Sequence, residues 1–525
     1  MNKRIILLSV VSFFVLLPVC IKGQTSKDVL ESSYLDLDYQ RKLFDVHFGK
    51  LASKYNLWKG NTWSDIGLYF NNTNRDYKAP QMYGSENSLS LGTESVQRID
   101  SMGYTFYGKF SYKTDRFFDS KFNQVHSFPE YGNPFYLFTP LTGKWETQEY
   151  YLEGGAAKSI VENKLSLGVH IIYGGSFFNK TNDTRNKQTN SSISISPSIT
   201  YGIGAANHVS LAFIYSRDKY KPMNSNHYAI PGDDPDYWLY LNQGLGTYYR
   251  PSLGYGLVSL NNSYGMNTEW YIAFSDDKNL TLNISADLSE DINRSVISKP
   301  SSDDPYIYGK YKLLKYNASI NYSNSIGNGR LISVLKYQGI SGNGHTFNEE
   351  QLSYQKSYNF SSRVVSFSTD YYNQNLFARK LSLSVDYDYT YGIDLNYGQK
   401  YSYSNVIPRF SIVFPSHSIF KGRMSYILDF YSNLNLDYFH DPVGARENIY
   451  TKEILSPTIA YETSNYVSVS PSINYSIRLT NKMLANFNFG VGLFKPLSVN
   501  YENLNTSLST DVYNSSVFTA FKIIF

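Results

Sequence analysis

Residues 517–525 read Val517-Phe518-Thr519-Ala520-Phe521-Lys522-Ile523-Ile524-Phe525. A strand turns successive side chains to opposite faces. Val517, Thr519, Phe521, Ile523 and Phe525 then share one almost wholly apolar face, while Phe518, Ala520, Lys522 and Ile524 share the other. The last strand of a soluble sheet and the last strand of a membrane barrel both fit these nine residues. The preceding chain separates the two.

The same alternation recurs from Trp63 onward, each time after a tight-turn pair. Asn163-Lys164 leads into Leu165-Ser166-Leu167-Gly168-Val169, Asn207-His208 into Val209-Ser210-Leu211, Lys278-Asn279 into Leu280-Thr281-Leu282, and Arg379-Lys380 into Leu381-Ser382-Leu383. Asn, Gly and charged residues suit two-residue hairpin turns. Short turns of this kind alternate with long connections near 113–145, 178–190, 217–262, 292–306, 341–350, 439–464 and 496–514, which is the pattern of a bacterial outer-membrane barrel. Counting strands back from the end predicts an antiparallel, up-and-down, transmembrane β-barrel of sixteen to eighteen strands, or fourteen if two segments are loops. Eighteen requires an early pair, Ser64 to Phe70 and Ser88 to Arg98. Two near copies, Ser194-Ile195-Ser196-Pro197-Ser198-Ile199 and Ser468-Val469-Ser470-Pro471-Ser472-Ile473, reuse one strand solution. Proline cannot donate to a ladder, so each is expected at a strand start, a rim or a bulge.

A closing aromatic at Phe525, with Phe521 and Ile523 on the same face, resembles the C-terminal signal that the barrel-assembly machinery reads. At the other end, Lys3 and Arg4 precede an apolar run from Ile5 to Val19, and Gly23 supplies a small residue for cleavage. This is the form of a secretory signal over residues 1–23, and it is too short for a convincing spanning helix. A lipoprotein reading through Cys20 is weaker, because Pro18 and Val19 sit where that signal takes small residues. Residues 24–57 lack a period of two and are expected to form a periplasmic segment, either a tether or a small plug. The barrel then occupies 58–525.

Composition agrees with that division. Cys20 is the one cysteine, so a chain cut after Gly23 holds no disulfide. A closed barrel needs none, since each backbone donor and acceptor pairs with a neighbouring strand. Removing Lys3, Arg4 and Lys22 brings the formal charge from +4 to near +1, which gives no case for nucleic acid. Aromatic residues make up 17% of the chain, 50 of them Tyr, as expected where rings gather at membrane interfaces. A mean hydropathy of −0.36 is compatible with this, because only one face of each strand meets lipid.

The region from Asn74 to Tyr112, with Gly92-Thr93-Glu94-Ser95-Val96 and Gly103-Tyr104-Thr105-Phe106-Tyr107-Gly108, resembles a family of uncharacterised Bacteroides-type outer-membrane β-barrel proteins. Glu149-Tyr150-Tyr151-Leu152 and the Ser-Pro-Ser-Ile strand extend the likeness. The resemblance implies a barrel and no assigned activity, so no functional residue comes with it.

Candidate chemistry is sparse. His208 and Ser210 share a strand face, but at the turn end of the strand, away from outer-leaflet substrate. His440 and Asp441 are adjacent and face opposite ways. The eight histidines show no ligand spacing. No catalytic residue, metal or cofactor is expected. The most suggestive loop holds Asp233, Asp234, Asp236, Tyr237 and Trp238, where aromatic platforms stand beside carboxylates, although Asp before Pro also starts turns. Asp287, Asp386, Asp388, Arg478 and Lys522 fall on polar faces and are expected to line the lumen. The expected function is a passive channel or solute-uptake barrel for small polar molecules. The alternative is a non-conducting binding or structural barrel, partnered with a surface lipoprotein or another envelope protein. An outer-membrane hydrolase comes third. No segment is long enough for the separate plug domain of an energised receptor.

Overall fold

The computed structural model describes residues 29–524 apart from 50, 60–61, 123–131, 163, 182–185, 205–206, 225–239, 246–247, 250–254, 276–277, 298–306, 349–350, 352, 374–378, 416, 420–421, 442–449, 481–482 and 500–507. Among the described residues, eighteen antiparallel strands form a closed ring. This is the upper end of the range read from the alternation, and it includes the early pair, now bounded as Trp63–Arg75 and Ser85–Ile99. The first strand pairs with the last, from Asp65 opposite Ile524 to Arg75 opposite Asn514, so neither keeps a free edge. One short strand, His417–Ile419, lies outside the ring and pairs only with the start of Gly422–Asp441.

Several strands overrun the boundaries that alternation suggests. Gly329–Asn348 and Ser353–Asn373 reach 20 and 21 residues, and the loop expected near 341–350 shrinks to a few residues. A strand that continues past the lipid boundary needs neither face to be apolar. The period of two fades there while the hydrogen-bonded ladder continues.

Outward positions carry the apolar alternation. Ile66, Leu68 and Phe70 on the first strand, and Leu167, Val169 and Ile171 on Leu165–Lys180, are exposed. Phe487 is 46% exposed and packs against Phe521 of the last strand, with ring centroids 4.7 Å apart. At about 25 cal/mol per Å² of apolar surface, a belt of this kind in water would oppose folding. It is a lipid-facing surface, and the protein is an outer-membrane β-barrel. No helix among the described residues is long and apolar enough to cross a membrane.

The two prolines depart from expectation. Pro197 and Pro471 sit inside strands, paired with Val169 and Leu428 respectively. On the other side of each, the ladder skips Ser196–Pro197 and Ser470–Pro471 without changing register. In an antiparallel sheet a residue directs its N–H to one neighbour only, so a missing N–H interrupts one ladder and spares the other.

Residues ahead of the first strand do not trail from the ring. Helix α1, Val29–His47, and a 3-10 turn, Ala52–Leu57, lie within its short-turn end. Tyr39, Leu43, Phe44 and His47 share a stripe at helical spacing. The helix closes with Phe48 N and Gly49 N donating to Phe44 O at 2.7 and 2.8 Å. At the long-loop end, a small sheet of Tyr136–Phe138, Tyr240–Asn242 and Tyr248–Tyr249 meets the helical segment Thr451–Glu462. Phe135, Phe138, Tyr240, Tyr450, Ile454 and Ile459 belong to an apolar core there that also takes in Tyr311, Tyr358 and Phe360 from the inner wall.

Candidate functional site: a plugged lumen

A ring of eighteen strands spaced ~4.8 Å apart and tilted ~40° has a diameter of roughly 35 Å. The 19 residues of α1 make a rod about 28 Å long. It therefore bridges much of the lumen, and its contacts are distributed around the ring. Asp38 meets Lys380 Nζ at 2.8 Å and accepts from the Tyr372 hydroxyl at 3.1 Å. Arg41 pairs with Asp65, which lies 3.1 Å from Lys522 on the last strand, so the helix docks on the seam that closes the barrel. Lys42 lies 3.4 Å from Asp370, and His47 Nδ1 lies 2.7 Å from Thr281 Oγ1. Asn321 donates to Val46 O at 3.0 Å.

The 3-10 turn is held more tightly. Ser53 N donates to Ser198 Oγ at 3.0 Å, and Ser53 Oγ lies 2.7 Å from Thr200 Oγ1. Lys54 Nζ donates to both oxygens of Glu269, at 3.1 and 3.3 Å, and both side chains are sealed from solvent. Burial pushes the Lys54 ammonium below its ordinary range, and the Glu269 carboxylate opposes that shift. The wall accommodates the turn with small residues. Gly168 faces the backbone of Ala52 and Ser53, and Gly155 faces the Tyr55 ring. Phe44, Phe48, Trp58 and Tyr271 pack around the junction.

Between plug and cap, the interior face of α1 presents Asp45. The side chain is exposed to the lumen, but enclosure by the surrounding wall and the Glu94 carboxylate push its pKa up to about 6, against the partial relief of Lys109, Lys42 and Arg41. A carboxyl raised in the folded state is penalised once it ionises. The contribution is neutral below the unfolded value near 3.8, turns unfavourable as pH climbs from there to about 6, and stays so above. Asp45→Asn is therefore expected to stabilise the seated plug at pH 7.5 and to lose that advantage near pH 4. Thermal unfolding of variant and wild type at the two pH values checks it, and a gain over the wild type no larger at pH 7.5 than at pH 4 overturns the assignment. On the cap side, Glu462 opens on the interior, where enclosure and the Asp388 carboxylate push its pKa up to about 7.

The residues picked from sequence do not form one site. Lys522 joins the plug docking at the seam. Asp287 accepts from Ser263 on the wall of Tyr255–Ala273 and Asn279–Ile297. Asp386 pairs with Arg409 at 2.9 Å, and Asp388 lies beside it, nearest Glu462. Arg478 continues the inward column of Asn474 and Ser476 toward the short-turn end. Phe521 and Ile523 lie on the lipid face, opposite Leu68 and Ile66. Asp233, Asp234, Asp236, Tyr237, Trp238 and Phe525 lie outside the described residues. His208 is buried near Tyr271, with ring centroids 6.1 Å apart, and Ser210 bonds Thr200 at 2.7 Å. His440 and Asp441 end the strand Gly422–Asp441. No group of His, Cys, Asp or Glu among the described residues could hold a metal ion.

Sequence reading passed over Lys54, Glu269, Asp45, Glu94 and Glu153. Parity could have placed the wall residues inward: Glu94 shares the face of Ser88 and Ser90, and Glu153 that of Glu149 and Tyr151. No local signal joins Lys54 to a residue 215 positions away.

The model of a family of unknown function, DUF6850, matches residues 52–523. No curated protein matches the chain. Among solved structures, similar barrels include BauA, the ferric preacinetobactin receptor from Acinetobacter baumannii, at 6% identity, covering 88% of this chain and 80% of that one, with a TM-score of 0.40. Another is Fiu, the ferric-catecholate import receptor from E. coli K12, at 9% identity, 88% and 82% coverage, and a TM-score of 0.41. Likeness at this level concerns the barrel type and carries nothing about cargo.

Proposed function

The chain belongs to the DUF6850 family of unknown function, and from its own residues we propose that it is a gated uptake barrel, which admits a small polar solute when the N-terminal plug leaves its seat. The observation that carries this reading is the plug's docking surface. Beside its aromatic packing, it holds the wall through ion pairs and side-chain hydrogen bonds reaching strands far apart in the chain. The partly exposed pairs of Asp38 with Lys380 and of Lys42 with Asp370 trade for water at small net cost, which leaves the enclosed Lys54–Glu269 pair as the latch of the seat. A plug held this way favours a gate over a permanently open pore. The solute reading rests on the polar interior, where Asn283 donates to Asn267 and Asn486 to Asn474.

Planar-bilayer conductance tests it, with heat-modifiable gel migration as the folding control. The full chain is expected to be silent. The full-length double variant Lys54→Ala/Glu269→Ala removes the buried pair together and leaves no orphan charge, and it is expected to open in discrete steps. A wild-type barrel that conducts steadily supports the passive channel. A folded double variant that stays silent supports the non-conducting binding barrel.

A further inference from the structure

Above the plug, register builds a charged row on the inner wall. Glu94 stands opposite Asp65 on one side and Lys109 on the other, and Lys109 stands opposite Glu153. His170 Nε2 ends the row 2.9 Å from Glu153. Asp45 joins it from α1, with Glu94 and Lys109 as its strongest charged neighbours. On the wall, Glu94 and Glu153 share Lys109, and Lys42 and Arg41 of the plug also act on Asp45. Both wall carboxylates are lined by phenols: Tyr107 donates to Glu94 at 3.0 Å and Tyr151 to Glu153 at 2.7 Å.

An independent observation points to a ligand. Tyr55 of the plug is wholly buried, yet among the described residues its hydroxyl has no hydrogen-bond partner. It lies against Gly155, the next inward position after Glu153, and its ring is 6.0 Å from that of Tyr107. A buried hydroxyl left unsatisfied is destabilising, so a bound acceptor at this place is favoured.

We propose that this row is a binding site for an amine-bearing polar solute, held between wall and plug. The ammonium brings three donors to Asp45, Glu94 and Glu153 and a charge to the faces of Tyr107 and Tyr151, while a hydroxyl or carbonyl of the same solute accepts from Tyr55. The site rests on the uptake reading for its purpose. Because Asp45 and Tyr55 belong to the plug, the solute touches both sides of the contact that opens.

Spermidine serves as the probe, by isothermal titration calorimetry on the full-length wild type and on Lys54→Ala/Glu269→Ala, in detergent at pH 7.5. Saturable binding to at least one of them is expected. Glu94→Gln/Glu153→Gln in the same background weakens it by more than about tenfold, the scale of losing two charge-assisted contacts, and Asp287→Asn on the wall of Asn279–Ile297 leaves it unchanged. Gel migration confirms that each variant is folded. Absence of binding to both proteins, or equal loss with Asp287→Asn, overturns the site. Conductance by the double variant with no binding to either protein leaves the gate standing and removes the site. Binding with a silent double variant does the reverse.

Discussion

Lys54→Ala is expected to cost the full-length barrel about 3–5 kcal/mol at the plug, the range seen when one partner of a buried ion pair is removed. Lys54 and Glu269 are fully enclosed, and the Lys54 ammonium meets both carboxylate oxygens. Deleting the lysine leaves an ionised carboxylate in a site shaped around an ammonium. The ring provides its own backbone pairing, so the loss falls on the turn Ala52–Leu57 and on α1 behind it. Limited proteolysis at Arg41 and Lys42 is the direct readout. These sites are protected in the seated plug and cleaved in the variant, while the barrel remains heat-modifiable. Glu269→Ala alone strands the lysine and gives a similar effect. The double variant recovers only part of it: no uncompensated charge remains, but the contact between turn and wall is gone and both side-chain volumes are lost, so the plug stays loose enough to leave. Additive single effects would mean that the pair does not couple, and the latch would then have to lie elsewhere.

Gly168→Val is the second large expectation, and it acts through shape. A Cβ at Gly168 would stand inside van der Waals distance of Ser53 N, the Ala52 carbonyl carbon and Ser53 Cα. All three are backbone atoms, so no rotamer relieves the clash. Valine suits a strand, and the wall keeps its pairing with Leu165–Lys180 in place. The turn must lift instead. Lifting breaks the Ser53 bonds to Ser198 and Thr200 and pulls on Lys54. Overpacking costs of about 1–3 kcal/mol apply if the plug stays seated, and faster cleavage at the plug together with channel steps follows if it leaves. A valine variant with wild-type protection and unchanged stability would show that the approach of turn to wall is looser than described. Gly154→Ala offers a control on a neighbouring wall position, since a Cβ there meets nothing within 4 Å.

Both variants act at places that sequence reading left blank, and the reason is physical. Alternation is a local property. Leu165-Ser166-Leu167 already states which side meets lipid, and parity from Phe525 backward carries the same statement through the ring. Barrel class and the upper strand count both follow from it. The same rule failed where its cause is absent. Above the lipid no face must be apolar, so strands such as Gly329–Asn348 continued past the point where their pattern stopped. Inside the ladder, Pro197 and Pro471 removed a donor toward one neighbour only and were tolerated in mid-strand.

By itself, then, the sequence determined the closed antiparallel wall and its two faces, because a period of two is set by the backbone of each strand alone. The tertiary structure decided that residues 29–58 fill one end, that Lys54 finds Glu269, and that Asp45 and Tyr55 meet Glu94 and Glu153 across the lumen. Those meetings depend on which strands the ring brings face to face, and no short-range pattern encodes a distance across a barrel.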